Sequence, residues 1–104
     1  MEETIRGEYL IFGYMGDLED AIRFAKKNGI SGGTIKGIET AHGNLMELGP
    51  LLKSEANYKR LKEDVGGLIE SLVKSVRESN EDNTLGCVQQ LKEKLKMLKS
   101  ETLV

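Results

Sequence analysis

Residues 58–98 decide the fold, and they read YKRLKEDVGGLIESLVKSVRESNEDNTLGCVQQLKEKLKML. Apolar residues return every three or four positions on each side of the polar run 80–84, Asn-Glu-Asp-Asn-Thr. The first row is Tyr58, Leu61, Val65, Leu68, Leu72 and Val76, and the second is Leu85, Val88, Leu91, Leu95 and Leu98. This spacing predicts two helices that each bury one stripe. Joined by a short polar turn, they form an antiparallel hairpin.

Two further helices are predicted before this hairpin. An apolar row with the same spacing runs through Ile35, Ile38, His42, Leu45, Gly49 and Leu52. Pro50 ends or kinks that helix near Leu48, because proline lacks the amide hydrogen and clashes with the preceding turn. Asn28-Gly29 is a helix stop, and Asp17 has the residue type of an N-cap.

The sequence therefore predicts an all-α fold, a four-helix bundle built on a long C-terminal hairpin and completed by dimerisation if a second copy binds. We expect one domain over residues 1–104, with helices at about 18–28, 34–48, 52–79 and 85–100. Ser54 is an alternative cap for the third helix. Residues 1–16 stay unassigned. Part of them either extends the first helix or forms a separate turn, and a strand at 9–12 would need a partner strand.

Composition excludes several classes of function. The net charge is −2, so no overall basic field favours nucleic acid. Lys92, Lys94, Lys96 and Lys99 alternate along the last helix and are expected to spread around it and offset its negative end, and the alternative is contact with an acidic partner. The single cysteine, Cys87, favours a reducing compartment. The acidic start and the lack of a long apolar run predict a cytoplasmic protein with no membrane contact.

The pair Glu39 and His42 is the most specific candidate for a metal-binding site. Residues three apart on a helix project side by side, and a Glu-x-x-His pair offers a carboxylate and an imidazole to one metal ion. Bundles that bind two iron or two manganese ions use two such pairs with two further glutamates. His42 is the only histidine, so a complete site requires a second copy of the chain. The further carboxylates would come from Glu19, Asp20, Glu63 or Glu70. Alternatively, His42 is a neutral residue on the apolar row.

A third role for His42 is phosphoryl transfer. Ala41-His42-Gly43 followed by Leu45 resembles the histidine box of histidine phosphotransfer domains, over these few residues only. Those domains are four-helix bundles with an exposed histidine, and the resemblance implies that His42 accepts a phosphoryl group. Leu45 and Met46 stand where the family carries a lysine, and the apolar row places His42 toward the core.

Glycines mark two other segments. Residues 31–37, Ser-Gly-Gly-Thr-Ile-Lys-Gly, offer free amide groups at a helix start, which is either an anion site or an ordinary capped connector. Gly66-Gly67 lies inside the third helix, where the pair either admits a close neighbour or acts as a hinge.

We expect a small non-catalytic interaction or scaffold protein, a homodimer without a cofactor, that offers a helical surface to a protein partner. Residues of the two long rows would supply the packing, either inside the bundle or between molecules: Tyr58, Leu61, Leu68, Leu72, Leu91, Leu95 and Leu98. The alternatives are the dimeric iron or manganese bundle and the phosphotransfer module.

Overall fold

The computed structural model describes residues 2–52 and 55–102, and every regular element in these ranges is helical. The helices are α1 (Glu2–Lys27), α2 (Gly32–Leu48), α3 (Glu55–Arg77) and α4 (Glu81–Thr102). A 3₁₀ turn, Gly49–Leu51, follows α2. The prediction of an all-α four-helix bundle with a C-terminal hairpin is confirmed.

Two antiparallel hairpins pack side by side to make the bundle. Helix α1 packs against α2 and α3, and α4 packs against the same two helices. Going around the bundle, the order is therefore α1, α2, α4, α3. Because short connections join successive helices, α1 and α3 run in one direction and α2 and α4 in the other. The molecule is elongated, with principal extents of 42 × 24 × 18 Å.

Helix α1 is much longer than the predicted helix at 18–28. Ile11, Leu18 and Ala25 are buried at intervals of seven residues, which matches two turns of a helix. The alternative strand at 9–12 is therefore wrong, and Asp17 lies inside the helix and is not its N-cap. The predicted stop is confirmed, because α1 ends at Lys27 and Gly29 has a φ of 72°.

The buried stripe of α2 shares Ile38 and Leu45 with the predicted row and is displaced by one residue at its other positions. Its buried residues are Thr34, Ile38, Ala41, Leu45 and Leu48, whereas Ile35, His42 and Gly49 are only half-buried. The small side chain of Ala41 lets the neighbouring helices approach, which the larger His42 would prevent. Helix α2 ends at Leu48, beside Pro50, as predicted.

The start of α3 also differs from the prediction. Leu52 is fully buried but ends the 3₁₀ turn, and α3 begins at Glu55. The alternative cap Ser54 lies outside the described residues. On the C-terminal side, α3 ends at Arg77, two residues before the predicted end.

Helix α4 begins at Glu81, four residues before the predicted start at Leu85. Asn80 caps it: its side-chain oxygen accepts a hydrogen bond from the Asn83 amide at 3.2 Å, and its carbonyl accepts one from the Thr84 amide at 3.0 Å. Thr84 is consequently buried, and Leu85, counted in the apolar row, is 42% exposed. The prediction that Leu85 belongs to the buried row was therefore wrong.

The two adjacent glycines of α3 generate a testable contrast. A β-carbon on Gly66 would lie 2.5 Å from Tyr14 Oη, whereas one on Gly67 would meet open space. We expect Gly67→Ala to raise the free energy of unfolding by about 1 kcal/mol, the usual gain of alanine over glycine inside a helix. Gly66→Ala should raise the free energy of unfolding clearly less, because the Tyr14 ring must move. Urea unfolding monitored by circular dichroism measures both.

The control for this contrast removes the obstructing hydroxyl. In a Tyr14→Phe background, Gly66→Ala should recover most of the gain seen at Gly67, since the next ring atom is 3.5 Å away. Equal stabilisation by the two alanines in the unmodified chain would show that Tyr14 does not restrict the position.

Candidate functional site

The residues predicted to supply packing belong to the interior of the monomer. Six of them are at most 9% exposed: Tyr58, Leu61, Leu72, Leu91, Leu95 and Leu98. Leu68 is half-buried and packs against the same core, while its neighbour Ile69 is fully buried. Because their surface is already covered within one chain, a contact between molecules must use other residues.

Glu39 and His42 lie on the outward side of α2. The Glu39 side chain is exposed and His42 is half-buried. His42 is therefore not on the buried stripe, contrary to the sequence interpretation, and it is open to a partner or ligand.

The other candidate ligands do not complete a metal site within one chain. Glu19, Asp20, Glu63 and Glu70 are all exposed. Across the described part of the chain, no group of three or more His, Cys, Asp or Glu side chains is placed to hold a metal ion. An iron or manganese site of the predicted kind would thus need ligands from a second copy.

At the glycine-rich start of α2, the Glu81 carboxylate of the same chain is the bound anion. Ser31 caps the helix by accepting a hydrogen bond from the Thr34 amide at 3.4 Å. Thr34 Oγ1 donates to Glu81 Oε1 of α4 at 3.1 Å. A carboxylate at a helix N-terminus is stabilised by the free amides and the helix dipole. This arrangement links the starts of α2 and α4.

The electrostatics of Glu81 follow from these contacts. Hydrogen bonds from the Ser31 side chain and from Thr34 lower the pKa of Glu81 below its usual value. The contact strengthens as the carboxylate ionises, so it stabilises the fold above the ordinary glutamate pKa. It is lost as the pH falls through the lowered pKa.

Tyr14 provides the packing reason for Gly66. Its hydroxyl lies over α3, where only glycine leaves room for it. Partial burial raises the pKa of Tyr14, and the negative charges of Glu70 and Asp17 raise it further. Helix α3 continues through both glycines, and a hinge at Gly66 and Gly67 stays a prediction.

A partly apolar surface covers the outer side of the α1–α2 hairpin. Tyr14 marks the side of α1 that faces α3, and Gly37, next to Val88, marks the side of α2 that faces α4. At about 100° per residue, Phe12, Ile35, His42 and Met46 lie on the opposite sides of these helices, and half-buried Met15 lies at the edge, about 100° from Tyr14. We call this surface the Phe12 face, and it consists of Phe12, Met15, Ile35, His42 and Met46.

Two members of the Phe12 face are large apolar side chains in contact with solvent. Phe12 is 64% exposed and Met46 is 53% exposed. Ile11 packs against Gly49, which places Phe12 and Met46 at the same end of the antiparallel hairpin. Sequence reasoning missed this surface because Phe12 precedes the part of α1 that the periodicity defined. The adjacency of Phe12 to the buried Ile11 was the available signal.

A groove lies between α2 and α4 near their C-terminal ends. Its volume is about 530 Å³, and Lys92, Lys96 and Lys99 of α4 line it together with Asn44 of α2. Three of the four lysines thus share one side of α4, so the expectation that they spread around the helix is wrong for these three. Lys99 Nζ donates to Glu47 Oε2 at 2.8 Å across the groove.

Cys87 is a free thiol with 8% of its surface exposed. It belongs to the core cluster, and this position is typical of a structural cysteine. Within residues 2–52 and 55–102, no helix is both long and apolar enough to cross a bilayer.

Neither a protein-family model, nor a curated protein, nor a solved structure matches this chain. The class of protein that the geometry defines is a four-helix bundle with two outward surfaces, the Phe12 face and the lysine-lined groove.

Neutralising Glu81 tests the link between α2 and α4. We expect Glu81→Gln to lower the free energy of unfolding at neutral pH, with the difference from the unmodified chain shrinking as the pH falls through the lowered pKa of Glu81. Denaturant titrations from neutral to acidic pH measure this. Asp82→Asn is the matched control, since it removes a carboxylate from the same first turn of α4. An equal, parallel loss in both variants would contradict a specific role for Glu81.

Proposed function

We propose that this protein is a small non-catalytic helical interaction protein that forms a homodimer through the Phe12 face. The observation that supports this most is the exposure of Phe12 and Met46 at one end of the α1–α2 hairpin. Adjacent large apolar side chains on a protein surface are typical of protein contacts. Six of the seven residues predicted to supply packing are already covered within the monomer, and among the exposed large apolar side chains Phe12 and Met46 lie at the same end of one hairpin.

The chemistry of the Phe12 face suits contact with an identical surface. Methionine side chains are flexible and polarisable and adapt to irregular neighbours, and an aromatic ring contributes a large apolar area. In a two-fold dimer each residue meets the same patch of the other copy, so one cluster of Phe12, Met15 and Met46 supplies both halves of the interface. The buried free thiol of Cys87 favours a reducing compartment, and we propose a cytoplasmic location.

A second candidate function is a dimeric iron- or manganese-binding bundle. It is favoured by the position of Glu39 and His42 on the outward side of α2. A dimer through the Phe12 face brings the His42 side chains of both copies to the same interface. Under this alternative, purified dimer contains iron or manganese and His42→Ala removes it. Under the preferred function, His42→Ala changes stability modestly and leaves metal content unaltered.

The phosphotransfer module is a third candidate, and its test is direct. His42 would have to take up a phosphoryl group from a small phosphodonor such as acetyl phosphate. Intact mass spectrometry would detect that labelled form, and His42→Ala would remove it. The preferred function predicts no labelling.

Paired substitutions test the dimer. We expect the unmodified protein to run as a dimer in size-exclusion chromatography with light scattering, and Phe12→Ser with Met46→Ser to weaken association by at least about tenfold, as loss of buried apolar anchors does. Met97→Ser is the control, because Met97 of α4 is 55% exposed but lies outside the Phe12 face. A monomer at all concentrations, or equal weakening by the control, would contradict the proposed interface.

A further inference from the structure

The lysine-lined groove has a regular arrangement of charge. Lys92, Lys96 and Lys99 follow one another at intervals of four and three residues, so they form one row along α4. The row is about 10 Å long at 1.5 Å per residue. In a chain of net charge −2, this is a local concentration of positive charge.

The last lysine of this row is already paired with a carboxylate of the same chain. Glu47 of α2 reaches across and accepts a hydrogen bond from Lys99 at 2.8 Å. The ammonium group of Lys99 lowers the pKa of Glu47 through this hydrogen bond and through its charge. Lys92 and Lys96 lie on the same side of α4 and are exposed. A carboxylate from another molecule can meet each of them as Glu47 meets Lys99.

The rest of the groove suits a side chain with apolar parts. The methylene stems of Lys92 and Lys96 supply apolar surface below their charged ends, whereas Leu95 in the lining is only 1% exposed. Asn44 and Ser100 add hydrogen-bonding groups. Glu93 is an acidic side chain of the lining and Glu47 pairs with Lys99, so Lys92 and Lys96 are the two lysines that remain for a partner.

We propose that this groove docks an acidic amphipathic helix of a partner protein. Carboxylates one turn apart on that helix would pair with Lys92 and Lys96, and its apolar side chains would cover the methylene stems of these two lysines. A helix repeats its side chains every three or four residues, which matches the spacing of the lysine row. One phosphate group is too small to meet a row about 10 Å long. The inference rests on the proposed interaction function but uses a different surface from the Phe12 face.

A synthetic peptide tests this docking. The probe is a fluorescein-labelled peptide of about 18 residues, long enough to form a helix, with glutamates at four- and three-residue intervals beside a row of leucines. A peptide of the same composition in scrambled order is the comparison. Fluorescence anisotropy with the full-length protein should show tighter binding of the patterned peptide, and that binding should weaken as salt is added.

Charge reversal on the protein separates this groove from general electrostatic attraction. Lys92→Glu with Lys96→Glu should weaken binding of the patterned peptide by about tenfold or more, because two attractions become repulsions. Lys59→Glu with Lys94→Glu is the matched control. It changes the net charge equally, at exposed lysines outside the groove. It should weaken binding less than threefold. Circular dichroism confirms that both variants fold.

Several outcomes would overturn the docking. The first is equal binding of the patterned and scrambled peptides. The second is equal weakening of peptide binding by both double variants. The third is displacement of the peptide by millimolar inorganic phosphate at constant ionic strength. The last result would assign the lysines to a free anion. Light scattering on the same samples separates the two proposals, since the lysine variants should leave the dimer unchanged. A dimer without peptide binding would contradict only the acidic-helix docking.

Discussion

The contact between α2 and α4 is the constraint on which the bundle depends, because it joins the two hairpins. In its middle, a β-carbon on Gly37 would lie 2.8 Å from Val88 Cγ1, so only glycine allows this separation of the two helices. Thr34 and Glu81 are hydrogen-bonded at one end of the contact, and Glu47 and Lys99 at the other. Close packing in the centre sets the distance between the helices, and polar contacts at the ends set their register.

Sequence patterns predict the parts of this fold that are determined locally. The C-terminal hairpin, the stop at Gly29 and the end of α2 beside Pro50 all follow from neighbouring residue types. The choice in α2 between a buried row through Ala41 and one through His42 does not follow from neighbouring residue types. Spacings of three and four fit both a row through Ala41 and a row through His42, and the choice depends on how closely other helices approach. That approach is a property of the assembled bundle.

The candidate surfaces were harder to predict than the fold for the same reason. Phe12 and Met46 each follow a buried residue, Ile11 and Leu45, and their exposure depends on which way the helix is turned. The grouping of three lysines depends on α2 lying alongside α4, which periodicity within α4 alone does not specify. Helix α2 borders both the Phe12 face and the lysine-lined groove, on opposite sides of its buried stripe. One helix therefore separates the two surfaces that we propose as contact sites.

The parallel direction of α2 and α4 has an electrostatic consequence. Two helices that point the same way place their partial positive ends together and their partial negative ends together, which repels at both ends. Here the Glu81 carboxylate lies between the two N-termini, and the Lys99 ammonium lies beside the two C-termini. The Glu81 charge thus offsets one pair of like dipole ends, and the Lys99 ammonium offsets the other pair only in part, because Glu47 pairs with it. Mobile ions screen both the repulsion between the helix ends and the charges that offset it. The electrostatic part of the contact between the hairpins therefore depends on ionic strength at the two ends of the molecule. The apolar packing between those ends does not.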